Sequence, residues 1–186
     1  EFRRVLFRSM IAIGLADLSI SFSDILGLKL IGDKEKGEKV LKDKSLLSLI
    51  LYANFMLSLI LVIGTLIAGY VFIPIVFGKE YSTSVLLLFI LLPGYLFNTN
   101  YKFSQRILNL SGHSSKILPV SFIASLAIFV SSILLYQYNY YIIAFCFSAG
   151  FILQGILINF LMRKHFEISG FKIYGIKEII HLLKSI

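Results

Sequence analysis

Two carboxylates inside an apolar run are the side chains in this sequence best suited to chemistry. Asp17 and Asp24, with Ser21 between them, are spaced so that all three lie on one face of a helix. If that helix crosses a membrane, a carboxylate at its centre costs about 3 kcal/mol unless it is protonated, paired or hydrated. The spacing therefore indicates a proton or cation site that faces a cavity. The alternative is that the run is shifted along its axis relative to the membrane, so that Asp24 and Lys29 simply lie at the inner membrane surface.

Amide side chains form a second group of candidates. Asn54, Asn98 and Gln154 lie within apolar runs and are candidates for lining a substrate or ion path. For each amide taken singly we favour the alternative, hydrogen bonding between helices, which contributes about 0.6 kcal/mol on average. The other amides in or beside the runs are Asn100, Gln105 and Asn159.

Lys102 and Arg106 lie four residues apart, at the end of the run that contains Pro93 and Gly94. As neighbours on one helix face they suit an anionic headgroup or a diphosphate, and ordinary anchoring at the membrane surface is the alternative. The Pro93-Gly94 pair predicts a broken helix, because proline lacks the N–H group that a helix needs. A break at mid-depth is tolerated where protein or a water-filled cavity covers the freed backbone groups. The pair therefore indicates an interior cavity or a packed kink.

Five apolar runs must position these side chains. The chain is 58% hydrophobic and has a mean hydropathy of +0.87, far above what a soluble domain needs to fill its core. A helical span needs about 20 apolar residues to cross about 30 Å of hydrocarbon. We therefore predict an all-α integral membrane protein. Its transmembrane helices are predicted at residues 10–31, 46–77, 85–108, 117–136 and 140–162, with the second one tilted and kinked at Pro74.

Basic residues alternate with the apolar runs. The gaps after the first and third runs and the tail are rich in Lys and Arg, whereas gap 78–83 holds only Lys79 and gap 137–139 holds none. This alternation predicts that the rich gaps and the C-terminus face the cytoplasm. The net charge of +8 then matches membrane lipids with anionic headgroups. We expect no nucleic-acid partner, because no basic patch is interleaved with aromatic residues outside the runs.

The two ends of the chain need separate treatment. Residues 1–9, EFRRVLFRS, resemble the translation of a common sequencing adapter, so we exclude them from fold reasoning. Residues 163–186 place apolar side chains at near-helical spacing with charged residues largely between them. This pattern predicts an amphipathic helix on the cytoplasmic leaflet, or a last helix packed on the inner surface of the protein.

Patterns typical of soluble enzymes are missing from the sequence. His113, His165 and His181 are far apart along the chain, so their spacing does not suggest a metal site. The sequence contains neither a glycine-rich phosphate loop nor a paired cysteine motif, and loop 32–45 is too short for a catalytic domain. We expect no enzymatic activity, no metal and no cofactor.

Three passages resemble one family of membrane proteins. The letters FGKEYS at 77–82, followed by residues 87–92 and then Pro93-Gly94, look like the "FGxEY…LxxLxPG" passage of polysaccharide-biosynthesis flippases. GDKEK at 32–36 is similar to the "GDxEK" cytoplasmic loop of that family, and LNLSG at 108–112 resembles its "LxxxG" turn. These flippases are the O-antigen and capsule translocases of the multidrug/oligosaccharidyl-lipid/polysaccharide exporter superfamily.

The resemblance implies a function in the bacterial plasma (inner) membrane. Such proteins have about a dozen or more helices in two lobes, and they move undecaprenyl-diphosphate-linked oligosaccharides from the inner to the outer leaflet by alternating access. This chain would supply about five helices of the C-terminal lobe and would need the N-terminal lobe of the same protein as its partner. The charged cavity residues of the family lie largely in that other half, so the resemblance assigns no substrate-binding residue here.

Two other functions stay open from the sequence. A multidrug or cation antiporter of the same superfamily would share the fold, although the GKEY-to-PG passage favours the polysaccharide branch. A membrane-embedded sugar polymerase or glycosyltransferase is disfavoured, because it would need a sizeable outer loop and the outer gaps here are very short.

Overall fold

Four long helices make up the part of the chain that the computed structural model describes, residues 44–135, 137 and 140–168. They are α1 (Lys44–Phe77), α2 (Ser82–Leu110), α3 (Ile117–Leu135) and α4 (Tyr140–Phe166). Each is long and apolar enough to cross a membrane, so the predicted all-helical architecture is confirmed for these residues. The segment at 1–9, the predicted first span with Asp17 and Asp24, and the tail beyond residue 168 lie outside the described residues.

The helices pack in the spatial order α1, α2, α4, α3. Helix α2 contacts α1 on one side and α4 on the other, and α3 packs against α4. We compare the buried share of residues in the most apolar stretch of each helix. This share is 53% for α2, 33% for α4 and 17% for each of α1 and α3. Helix α2 is therefore the most enclosed of the four. The outer helices expose large apolar side chains such as Ile67 and Phe122, as expected for surfaces that face lipid.

Glycines end the first two helices. Gly78 has a φ of +94° and its N–H donates to the carbonyl of Pro74 at 3.1 Å, which terminates α1. Gly112 has a φ of +78° just after α2, and the N–H of His113 donates back to the carbonyl of Leu108 at 2.8 Å. Glycine adopts such left-handed conformations without the steric cost that a Cβ adds. Short 3₁₀ turns, Lys79–Tyr81 and Ser114–Lys116, then lead into α2 and α3.

The helix break predicted at Pro93-Gly94 is absent, because α2 runs without interruption from Ser82 to Leu110 with Pro93 inside it. The N–H of Gly94 donates to Ser148 Oγ on α4 at 3.0 Å. Gly94 also lets the two backbones approach closely, since a Cβ built on it would lie 2.5 Å from the Cα of Ser148. A neighbouring serine thus accepts a backbone hydrogen bond beside the proline, one of the ways in which apolar helices tolerate proline.

Candidate functional site

A layer of polar side chains separates two hydrophobic clusters in the bundle. The cluster toward the start of α1 contains Leu47, Leu51, Tyr101, Phe103, Ile107, Leu108, Ile117, Val120, Ile158, Met162 and Ile168. The cluster toward the other end contains Val62, Leu87, Leu88, Leu91, Leu92, Tyr95 and Ala144. Between them lie five polar residues that we call the polar layer: Asn54 and Ser58 on α1, and Asn98, Thr99 and Asn100 on α2.

The polar layer lies between the same two hydrophobic clusters on both helices. Asn54 is ten residues after the start of α1 (54 − 44), and Asn100 is ten residues before the end of α2 (110 − 100). At about 1.5 Å per residue, each lies about 15 Å along its own helix from the end remote from the turn at 78–81. All five side chains of the layer are less than 9% exposed. The structure therefore places two predicted site residues, Asn54 and Asn98, in one buried layer.

Hydrogen bonds satisfy only part of the polar layer. Ser58 Oγ donates to the carbonyl of Asn54 at 2.8 Å, and Thr99 Oγ1 donates to the carbonyl of Leu96 at 2.7 Å. Asn100 Oδ1 is buried and has no hydrogen-bond partner among the residues that the structure describes. Leaving a buried acceptor unsatisfied costs about 1–3 kcal/mol. Such a cost is typical of a position retained for function rather than for stability.

Replacing Asn100 should therefore stabilise the chain. We expect Asn100→Leu to raise the free energy of unfolding by about 1–2 kcal/mol, because an apolar side chain removes the unsatisfied acceptor. Thr99→Val is the matched control, since it removes a hydroxyl that is already bonded and should lower that free energy by about 0.5–1 kcal/mol. Unfolding in mixed micelles, followed by labelling of the buried single cysteine, Cys146, measures both. Equal destabilisation by the two variants would show that Asn100 is satisfied in the folded chain.

Three further predicted residues, on α2 and α4, lie outside the polar layer. Lys102 and Arg106 follow it on α2 and are both half-buried, within the first two turns past Asn100. Gln154 is half-buried on α4, twelve residues before the end of that helix (166 − 154), or about 18 Å from it. The hydroxyls of Tyr101 and Ser121 hydrogen bond at 2.5 Å beside the layer and join α2 to α3. Polar side chains thus continue from mid-bundle toward one end.

That end of the bundle carries nearly all of the positive charge. Of the seven Lys and Arg residues in the described part of the chain, only Lys79 lies at the opposite end. The other six lie at or near the end where α1 and α3 start and where α2 and α4 finish: Lys44, Lys102, Arg106, Lys116, Arg163 and Lys164. An anionic group would therefore meet a strongly one-sided electrostatic field along the bundle.

An ion pair ties two elements together at this basic end. Lys44 Nζ, at the start of α1, lies 2.5 Å from Glu167 Oε2, just after α4. The hydrogen bond from Lys44 and its positive charge lower the pKa of the Glu167 carboxyl. Since both side chains are exposed, the pair contributes little to stability. It does hold the start of α1 close to the end of α4.

The structure brings together two histidines that the sequence did not connect. The ring centroids of His113 and His165 are 5.0 Å apart, and Lys116 Nζ lies 3.1 Å from His165 Nε2. We call these three residues the imidazole–lysine cluster. The described residues contain no group of three or more His, Cys, Asp or Glu side chains that could hold a metal ion. The cluster joins one ammonium group and two imidazole rings at the basic end of the bundle.

Comparison of the chain with protein-family models, with curated proteins and with solved structures gives no match. Its function must therefore be argued from its own residues.

Proposed function

We propose that this chain forms part of a transporter that moves a lipid-linked oligosaccharide diphosphate from the inner to the outer leaflet by alternating access. The observation that supports this proposal best is the arrangement along α2, the most enclosed helix. A buried polar layer is followed within two turns by Lys102 and Arg106. Within the described residues, Asn100 Oδ1 is one atom of this row that hydrogen bonding between helices does not account for.

Each part of this arrangement suits one part of such a substrate. The polyprenyl tail can stay in lipid, whereas the sugars and the diphosphate need hydrogen-bonding and cationic groups along their path. The basic end would attract the diphosphate, and the polar layer, within two turns of Lys102 and Arg106, would offer hydrogen bonds to sugar hydroxyls. No bond is made or broken, so transport requires shielding and a change of access rather than catalysis.

The membrane and its orientation belong to the same proposal. Six of seven described basic residues lie at one end, which is typical of a cytoplasmic end in the plasma membrane of bacteria. Asp17 and Asp24 remain our candidates for the proton or cation site that drives the change of access. The second lobe would come from the N-terminal half of the same protein.

Reconstitution in vesicles tests the proposal directly. We would incorporate the chain with its N-terminal lobe, supply a polyprenyl-diphosphate oligosaccharide in the inner leaflet, and measure the appearance of the glycan at the outer face with an impermeant lectin. We expect time-dependent appearance of glycan of unchanged length. Longer glycans would instead indicate a polymerase, and extrusion of cationic drugs without glycan movement would indicate an antiporter.

A further inference from the structure

The imidazole–lysine cluster lies outside the polar layer and is separate from Lys102 and Arg106, although its Lys116 belongs to the same basic end of the bundle. His113 belongs to the turn between α2 and α3, Lys116 to the 3₁₀ turn that follows it, and His165 to the last turn of α4. Residues from two separate parts of the chain, 49 positions apart for Lys116 and His165, thus converge on one spot at the basic end. The hydrogen bond of His113 defines which of its ring nitrogens carries the proton.

His113 donates through Nδ1. This nitrogen lies 3.0 Å from the carbonyl oxygen of Ser111, which can only accept a hydrogen bond, so Nδ1 carries the proton. In the neutral ring Nε2 is then unprotonated and can only accept. His113 can donate a hydrogen bond from Nε2 only after it gains a second proton and becomes positively charged.

His165 contacts Lys116. Lys116 Nζ lies 3.1 Å from Nε2 and 3.5 Å from Nδ1 of this ring. These two distances place the ammonium group beside or over the ring and not along the lone pair of one nitrogen, so the contact leaves both tautomers of the neutral ring open. A neutral imidazole donates from one ring nitrogen and an imidazolium from two, so each of the two rings gains a donor on protonation.

We propose that His113, Lys116 and His165 form a binding site for a tetrahedral oxyanion of the phosphate class, and that binding is coupled to proton uptake by the two imidazoles. An anion at the edge that the three side chains share would replace the contact of Lys116 with His165, and it would accept hydrogen bonds from Lys116 Nζ and from N–H groups of the protonated rings. Its negative charge would offset the repulsion between imidazolium rings whose centroids are 5.0 Å apart. Proton and anion would therefore favour each other's binding.

The charges that face the cluster support this coupling. Lys164 on α4 adds positive charge beside His165. The described part of the chain contains two acidic residues, Glu80 and Glu167; Glu80 lies at the opposite end of the bundle, and Glu167 is paired with Lys44. A bound oxyanion would supply the counter-charge. Phosphate in solution and the phosphodiester of a lipid headgroup share this chemistry.

Proton-coupled binding can be tested on the full chain of 186 residues in an uncharged detergent. Sulfate is the first probe, because its charge is constant between about pH 6 and about pH 8, so any pH dependence belongs to the protein. We expect binding at least tenfold tighter at about pH 6, and histidine NMR signals whose titration midpoints move upward for His113 and His165. The same titration in Lys116→Gln provides the reference for general charge effects. Equal affinity at both pH values, or a shift of equal size in Lys116→Gln, would overturn the proposal.

Variants assign the effect to the cluster. Lys116→Gln and His165→Gln should each weaken sulfate binding by about tenfold, because each removes a charged donor. Lys79→Gln is the matched control, since it removes one exposed positive charge at the opposite end of the bundle. A loss of the same size in Lys79→Gln would show that binding follows net charge and not this site.

Two further arms identify the source of the anion. Inorganic phosphate replaces sulfate in detergent, and vesicles of phosphatidylcholine are compared with vesicles that also contain phosphatidylglycerol. If phosphatidylglycerol raises the titration midpoints of His113 and His165 more than it does in Lys116→Gln, the ligand is a lipid headgroup. If only added phosphate does so, the ligand is soluble phosphate. Unchanged midpoints in both arms would exclude the site. This test is independent of glycan transport, so either proposal can fail alone.

Discussion

Gly94→Ala should destabilise the chain by about 3 kcal/mol or more, although it adds a single methyl group. That methyl carbon would lie 2.5 Å from the Cα and 2.8 Å from the carbonyl oxygen of Ser148. Both are backbone atoms of α4, so they cannot move aside as a flexible side chain would, and the two helices must separate. Separation would also lose the hydrogen bond from the Gly94 N–H to Ser148 Oγ.

Gly64→Ala is the matched control for this substitution. Gly64 lies in α1, and a Cβ built there meets no atom within 4 Å, so the same change should leave stability equal or raise it slightly. The readout is the rate at which a maleimide labels Cys146, which lies two residues before Ser148 and is buried. A loss of 3 kcal/mol corresponds to labelling about a hundredfold faster through the unfolded state. Equal rates in the two variants would contradict the close contact between α2 and α4.

The helices could be predicted because their signal is local. A run of apolar residues long enough to cross hydrocarbon is visible in sequence without knowledge of any contact. The described helices α1 to α4 accordingly lie on four of the predicted apolar runs. Proline is also a local signal, but its effect in α2 depends on Ser148, which is 54 residues away from Gly94. A break was therefore predicted where the structure has a continuous helix.

The imidazole–lysine cluster was missed because linear spacing was used as the measure of proximity. His113 and His165 lie at comparable distances on either side of the turn at Gln137, and α3 and α4 form an antiparallel hairpin around that turn. Residues placed symmetrically about such a turn meet at the far end of the pair. This symmetry was the signal in the sequence that would have brought the two histidines together.

The buried polar layer was only partly predictable. Hydropathy identifies Asn54 and Asn98 as polar residues in apolar runs, but it does not show that both lie between the same two hydrophobic clusters. That result depends on the register between α1 and α2, which is set by the turn at 78–81 and by packing of the clusters on either side. Register between helices is a tertiary property with no marker in a single run.

Removing the charges of Lys102 and Arg106 should have the largest effect on the proposed transport. The two residues are one turn apart on the same face of α2, so together they present two cations to a diphosphate. A charge-assisted hydrogen bond contributes about 1.5–3 kcal/mol, which corresponds to about a tenfold loss of rate or more for each single change to Gln. The double variant should lose about a hundredfold in the initial rate of glycan appearance.

Three comparisons separate a role in transport from a role in folding. Lys79→Gln should transport at the normal rate, because its charge lies at the opposite end of the bundle. Arg106→Lys should recover part of the activity, since lysine keeps the charge but lacks the planar fork that binds two phosphate oxygens at once. Labelling of Cys146 should be unchanged in all of these variants, because Lys102, Arg106 and Lys79 lie outside both hydrophobic clusters. If the double variant moves glycan as fast as Lys79→Gln, Lys102 and Arg106 only anchor the helix at the membrane surface, and the diphosphate must be bound elsewhere.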